Sequence, residues 1–304
     1  MKRLAYLPVA TAIAALQTLP LATVAWLGRQ LGLLGWLCDT THRNLARRNL
    51  ALAFGDELDD AERSRLARES FRRLGESWLC ALRTVTMERE ELSTRLQVVG
   101  LNKLQPWIER TDVAGIVVAT GHFANIEMYA HAAAELPWMR PVTLYRRSPS
   151  WMMNRILSLV RRDAPCDFFD DVSEVLQLRS ALRDGNLILG VMADLNPGPA
   201  GVRVPFFGRP ASTSPAAVVY ALRHRMPLHA AVCFRIGPGR WRVEISDEIP
   251  TRPGGRARRV PDILFDLNAH LEQSIRRDPA NWFWMQPRWL HPGRLPSRWK
   301  KTHV

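Results

Sequence analysis

Charge is missing from the first part of this chain: no residue between Arg3 and Arg29 carries one. The run Leu4–Gly28 holds 25 residues, mostly Leu, Ala, Val and Thr, interrupted by Pro8, Gln17 and Pro20. About 20 apolar residues suffice for a helix to cross the hydrocarbon layer, so residues 1–30 are expected to form a membrane anchor. A cleavage site in small residues is also missing. Ala22–Ala25 leads straight into bulky Trp26 and Leu27, which favours an uncleaved anchor over a removed signal peptide. The two prolines leave spanning, interfacial and re-entrant seatings open. Arg29, Arg43, Arg47 and Arg48 outnumber Lys2 and Arg3, which places the body of the protein on the cytoplasmic side of the membrane.

Cysteine is scarce. Cys38, Cys80, Cys166 and Cys233 stand far apart, with no C-x-x-C pair and no neighbouring histidine cluster. Neither a zinc site nor a disulfide framework is expected, and the four read as small buried hydrophobes of a reducing compartment. No G-x-S-x-G elbow is present, so the hydrolase type of serine nucleophile has no sequence support. Repeats, acidic tails and long low-complexity runs are absent too, as are helix–turn–helix, zinc and RNA-recognition signatures. Nucleic acid is therefore not the expected partner, although Lys and Arg exceed Asp and Glu by 42 to 29. That surplus of +13 calls for something anionic, and the eleven tryptophans turn the choice toward a phospholipid surface.

What is present is enough apolar residue, 47% of 304, to bury one sizeable core. Helical spacing of Leu66, Leu74, Trp78 and Leu82, with Asp59 and Asp60 to cap the start, predicts a helix from Leu58 to about Arg83. Short β-type runs follow at Leu96–Val99, Gly115–Ala119, Val142–Tyr145, Leu187–Val191, Leu228–Phe234 and Trp241–Ile245. Helical stretches Ile126–Leu136, Trp151–Arg161, Val172–Leu182 and Pro215–Arg223 alternate with them, and Pro261–Arg277 reads as a late amphipathic helix. The expectation is a single α/β domain over 31–304: a central, largely parallel sheet flanked by helices, with the N-terminal hydrophobic anchor attached.

The segment GIVVATGHFANIEMY at Gly115–Tyr129 carries the chemistry. An apolar strand ends at Thr120 and Gly121, and His122 follows at the place where open α/β sheets build ligand sites. Glu127 lies five positions on. On one helix that spacing would put the side chains about 140° apart, so they converge only if His122 sits on the turn and Glu127 on the first turn of the next helix. A neutral imidazole can take the proton of an attacking hydroxyl, and a carboxylate on its far nitrogen would fix the tautomer. By spacing alone H-x-x-x-x-E is common, and a loop histidine with an acid near a helix start is the plain alternative.

The company of that motif is more specific. In order along the chain stand an apolar N-terminus, RRNLALAF at Arg47–Phe54, GHFANIE at Gly121–Glu127 and LYRR at Leu144–Arg147. ADLNPG at Ala193–Gly198, VPFFGRPAST at Val204–Thr213 and DPANWFWMQPRW at Asp278–Trp289 complete the set. The chain thereby resembles the bacterial lipid A late acyltransferases, the lauroyl and myristoyl transferases of lipopolysaccharide synthesis, within the glycerolipid acyltransferase superfamily. The resemblance implies His122 as general base, polarised by Glu127. It implies an acyl thioester donor, typically acyl carrier protein, and a lipid A precursor hydroxyl as acceptor. It also implies action at the cytoplasmic face of the inner membrane, without metal or organic cofactor; a monomer is expected, although the sequence does not give the oligomeric state. Arg146 and Arg147 would suit anionic groups, and Asp194, Phe206, Phe207, Gly208 and Arg288 are the further candidates for substrate binding; Asp194 as a loop cap, and Phe206, Phe207 and Gly208 as packing and turn residues, are the plain alternatives. Ile126, Leu195 and Gln286–Pro287 depart from the family's usual residues, which leaves acceptor and chain length open. Trp282, Trp284, Trp289 and Trp299, mixed with Arg294, Arg298, Lys300 and Lys301, read as core aromatics or as an interfacial face. A non-catalytic protein that binds anionic lipid through this face is the alternative from another functional class.

Overall fold

The computed structural model describes residues 2–108, 110, 113–170 and 173–289, the first few by their backbone only. The start of the helix expected at Val172, and Arg294, Arg298, Trp299, Lys300 and Lys301, lie outside them. The N-terminal part is helical: α1 (Lys2–Gln17), α2 (Leu21–Cys38), α3 (Thr40–Phe54), α4 (Asp60–Thr84) and the short α5 (Arg89–Ser93). Strands and helices then alternate: β1 (Leu96–Val99), α6 (Gln105–Ile108), β2 (Gly115–Thr120), α7 (Met128–Ala133), β3 (Arg140–Tyr145), α8 (Trp151–Val160), β4 (Asp167–Asp170), α9 (Val175–Asp184) and β5 (Leu187–Met192). The remainder comprises β6 (Val202–Phe206), β7 (Arg209–Thr213), α10 (Ala216–His224), β8 (Leu228–Gly237), β9 (Arg240–Ile245) and α11 (Val260–Arg277).

Seven strands form one sheet in the order β1-β9-β8-β2-β5-β3-β4, and every pairing is parallel except β8 with β9. This is the mixed α/β fold with a largely parallel central sheet that the strand–helix alternation predicts. Strands β2 and β5 sit in the middle with both faces covered, which is why they read as unbroken apolar runs. Alternate residues serve opposite layers. Val117, Ala119, Leu187 and Leu189 face a core shared with α3, α4, α10 and α11, whereas Ile116, Val118 and Ile188 face a second core toward α2 and α7. Strand β4 and the β6–β7 hairpin have no counterpart in the sequence expectation; DFFD is too short and too acidic to register as a strand.

The apolar N-terminus departs from expectation. It is not one span of 25 residues: the chain breaks at Thr18–Pro20, because proline 20 has no N–H to continue α1. Among the described residues no helix is long and apolar enough to cross a membrane. Helix α2 runs across the expected boundary at residue 30 and lies against α4 at backbone-contact distance. A Cβ on Gly28 would stand 2.6 Å from the Glu76 Cα, one on Gly32 2.2 Å from the Phe71 carbonyl oxygen, and one on Gly75 2.2 Å from the Gly28 carbonyl oxygen. Arg29 crosses this contact to Glu69 (2.9 Å) and Glu76 (3.4 Å), and Arg235 reaches the same buried Glu76 carboxylate at 2.8 Å. Helix α4 begins as its sequence predicts, with Asp59 accepting from the Glu62 amide at 2.7 Å and Glu62 returning the bond.

Gly32→Ala should therefore lower stability by about 1–3 kcal/mol, because the methyl group meets backbone that cannot step aside. Gly35→Ala in the same helix meets only a Phe71 ring carbon at 3.7 Å, so it should be neutral or stabilising. Thermal denaturation of the two variants checks the contrast; equal melting temperatures would refute the close contact.

Candidate active site

Two carboxyl-end turns, one after β2 and one after β5, build the site. The β2–β5 register pairs Thr120 with Met192, and the Ala193 amide donates to the Thr120 carbonyl at 2.8 Å. Two residues beyond each partner stand His122 and Asp194. The sheet thus sets them side by side although 72 positions separate them in sequence. His122 Nδ1 donates to Asp194 Oδ1 at 2.8 Å, and the His122 amide donates to Oδ2 at 2.7 Å. Trp282 Nε1 donates to Oδ2 as well, at 2.8 Å. The Asp194 carboxylate is wholly buried, while a quarter (25%) of the His122 side chain stays open. Gly121 lets the two strands' turns close, since a Cβ there would come within 2.7 Å of the Phe123 ring and 3.1 Å of Asp194 Oδ2.

The electrostatics follow. Burial works against the charged imidazole, but the Asp194 charge and hydrogen bond outweigh it and raise the His122 pKa above its ordinary 6.5. Burial likewise pushes Asp194 up, and the His122 charge, the His122 bonds and the Trp282 bond bring it below 3.8. With Nδ1 committed to a carboxylate, Nε2 carries the free lone pair, and it has no hydrogen-bond partner among the described residues.

The turn is locked by the chain's late segment. The Ala124 amide donates to the Asn281 carbonyl (3.0 Å) and the Phe283 amide to the His122 carbonyl (3.1 Å), a short antiparallel bridge of Phe123 with Trp282. This bridge holds Ala124 at φ 43°, left-handed backbone that costs an alanine roughly 1 kcal/mol. Asn281 ties the bridge to β8 through the Cys233 carbonyl (2.8 Å). Ser70 of α4 donates to the Trp282 carbonyl (2.9 Å), and Asn49 of α3 to that of Trp284 (2.8 Å). Tyr129 donates to the Gly121 carbonyl at 3.0 Å; burial drives its phenol well above the ordinary range, so it stays a donor.

Glu127 does not occupy the place expected for it. The ring nitrogen that was to face it is taken by Asp194, and the Glu127 carboxylate is held by Arg161, from Nη2 at 3.0 Å and from Nε at 3.3 Å. Arg161 in turn lies over the rings of Phe168 (4.5 Å) and Tyr145 (5.2 Å). The physical reason is the short loop Phe123–Ile126, which delivers Glu127 to the start of α7 on the side of α8, away from β5.

The other expected residues divide. Arg147 is exposed, pairs with Asp170 at 3.2 Å, and shares with Arg161 and Tyr145 a cleft of about 500 Å³. Arg146 is exposed beside it. Phe206, Phe207 and Arg288 are buried. Phe206 packs on Trp282 (5.7 Å) and Phe207 on Phe54 (5.4 Å), while Phe207 and Gly208, both at positive φ, form the two-residue turn of the β6–β7 hairpin. Arg288 lies over the Phe206 ring at 4.6 Å and donates to the Ser212 carbonyl and to Thr213 Oγ1; burial pulls its pKa down to about 10. They support the Trp282 layer behind Asp194. Trp282 and Trp284 are core aromatics, edge-to-face at 4.7 Å. Of the cysteines, Cys80 and Cys233 are buried, Cys166 half-buried and Cys38 exposed; all are free thiols. Sequence reasoning missed Asn281 and Arg161, which carry no spacing signal because their partners lie far along the chain.

Two cavities lie near the site. A groove of about 440 Å³ has a mixed lining, with Val85, Met87, Leu92, Leu96 and Val98 on one hand and Arg89, Glu127, His131, Glu135 and Asp163 on the other. A narrow apolar cavity of about 40 Å³ under α7 shares Leu101 with it and reaches Thr120 and Tyr129, next to His122. Among the described residues no group of His, Cys, Asp or Glu could hold a metal ion.

A comparison with curated proteins found no match. A model of the family described as bacterial lipid A biosynthesis acyltransferase matches residues 3–291, which takes in α1, the whole sheet, the histidine turn and the segment that locks it. With nearly its full length matched, this chain belongs to the bacterial lipid A biosynthesis acyltransferase family.

Proposed function

We propose that the chain moves a fatty acyl group from an acyl thioester, borne by acyl carrier protein, to a hydroxyl of a lipid A precursor at the cytoplasmic face of the bacterial inner membrane. The observation that carries the reading is the open Nε2 of a histidine whose Nδ1 is fixed on a buried carboxylate. His122 Nε2 takes the proton of the acceptor hydroxyl as its oxygen attacks the thioester carbonyl. The carbon–sulfur bond then breaks, and the imidazolium returns the proton to the departing thiolate. Asp194 holds the tautomer and stabilises the transient cation, as the acid of a hydrolase triad does. The acceptor itself attacks, so no protein nucleophile takes part. The groove beside Glu127 offers room for the fatty chain along its apolar residues, and exposed Arg147 offers a guanidinium group to phosphates of the acceptor. The excess of 42 basic over 29 acidic residues suits an acidic carrier protein.

His122→Ala and Asp194→Asn should each reduce turnover by roughly 10²–10⁴-fold with the fold intact by circular dichroism. The decisive assay incubates the purified chain with isotope-labelled acyl carrier protein and acyl-CoA and a panel of lipid hydroxyl acceptors, read by mass spectrometry. A gain of one acyl mass on a lipid A precursor supports the proposal. Gain only on a lysophospholipid or another glycolipid moves the acceptor, and no gain on any acceptor from either donor ends the enzymatic reading.

The raised His122 pKa gives a pH signature. The base must be neutral, so the rate should fall with acidification from above pH 6.5, where the folded-state value lies. Asp194→Asn removes the neighbour that favours the imidazolium, so the acid limb should move to lower pH. Glu127→Gln should leave the limb in place, whatever it does to the rate, because Glu127 faces Arg161. A shift with Glu127→Gln and none with Asp194→Asn would restore the H-x-x-x-x-E pairing. The same ion pair contributes to stability with a definite sign. The histidine share is full below its unfolded value of 6.5 and lost as pH rises through the higher folded value. The aspartate share is full above 3.8 and lost as pH falls through the lower folded value.

A further inference from the structure

Helix α2 has two unlike faces. One carries Gly28, Gly32 and Arg29 against α4. The opposite one leaves Trp26, Leu34 and Leu37 exposed at 59%, 54% and 61% of their surface, and α1 adds Leu7 at 63%. Lone exposed leucines need no explanation, but three large apolar side chains on one face of a single helix mark a contact surface. The same two helices carry arginine on aromatic rings. Arg43, just past the end of α2, lies over Trp36 at 5.6 Å and donates to its carbonyl. Arg155 lies over Tyr6 of α1 at 5.5 Å, and Tyr6 meets the partly exposed Trp151 edge-on. Aromatic rings paired with guanidinium groups, on helices that also carry an apolar strip, fit the boundary between acyl chains and anionic headgroups.

The contacts on the inner face decide how such a strip meets the lipid. Crossing a bilayer would strip α2 from α4, whose backbone it touches at Gly28 and Gly32. It would also carry Arg29 into hydrocarbon away from Glu69 and Glu76. We infer that the α1–α2 hairpin lies in the plane of an anionic bilayer, with Trp26, Leu34, Leu37 and Leu7 dipped into one leaflet and α4 behind it in water. The inference rests on the membrane setting of the proposed function and on none of its chemistry.

The test uses the full chain and vesicles of phosphatidylethanolamine with phosphatidylglycerol. Wild type should float with the vesicles, more strongly as the phosphatidylglycerol share rises. Trp26→Ser/Leu34→Ser/Leu37→Ser should lower the partition coefficient by at least about 100-fold, since each fully inserted side chain contributes about tenfold or more. These positions are exposed, so the melting temperature should not change, and no turnover is needed for the readout. For depth, a fluorophore on Leu34→Cys in a Cys38→Ser background should be quenched more by a nitroxide at carbon 5 of the lipid chain than at carbon 16. Stronger quenching at carbon 16 would overturn the inference in favour of a spanning helix. Wild type that stays off the vesicles, or a dimer that shields Trp26 from aqueous quencher, would overturn it in favour of a protein partner.

Discussion

The register of two neighbouring parallel strands is the constraint on which the site depends. Once Thr120 pairs with Met192, the turns after β2 and β5 must present their second residues to each other, and those residues are a histidine and an aspartate. Everything else close by serves that juxtaposition. Gly121 has no side chain to part the turns, Trp282 satisfies the remaining carboxylate oxygen, and the bridge from Asn281 to Phe283 keeps the histidine backbone from rotating away. A slip of one residue in that register would exchange the two core faces of β5 and separate the pair.

The acid that meets His122 is thus not the acid of the linear motif. Glu127 is anchored by a guanidinium that itself lies over two rings, at the wall of a groove of mixed lining. A carboxylate so placed pairs with Arg161 and ties the start of α7 to the end of α8. Two carboxylates near one histidine turn thus have separate partners: Asp194 holds the His122 ring, and Glu127 pairs with Arg161. Buried Arg288 belongs to the same division, holding the end of β7 and the Phe206 ring behind Trp282 rather than reaching for substrate.

The helical N-terminal third is bound to the sheet domain by polar links as well as by apolar packing. Glu76 collects Arg29 from α2 and Arg235 from β8, while Ser70 and Asn49 grip the carbonyls of the segment that locks the histidine turn. The surface that faces outward on α2 and the site that faces the groove are therefore parts of one connected body.

The fold class, six of the strands and the histidine on its turn were all legible in the sequence, because buried strands, amphipathic helices and a glycine-tightened turn write their signal into adjacent residues. RRNLALAF, GHFANIE and DPANWFWMQPRW likewise pointed to the family as contiguous blocks. The partner of His122 was not legible, although Asp194 stood among the candidates, because strand order and register join residues 72 positions apart and leave no periodic trace. Nor was the fate of the apolar N-terminus: composition counts its leucines, but only the packed structure shows that α2 turns its glycines and Arg29 to α4 and its leucines outward. Local spacing determines which elements form; the contacts between elements decide which side chains meet, and chemistry belongs to those that meet.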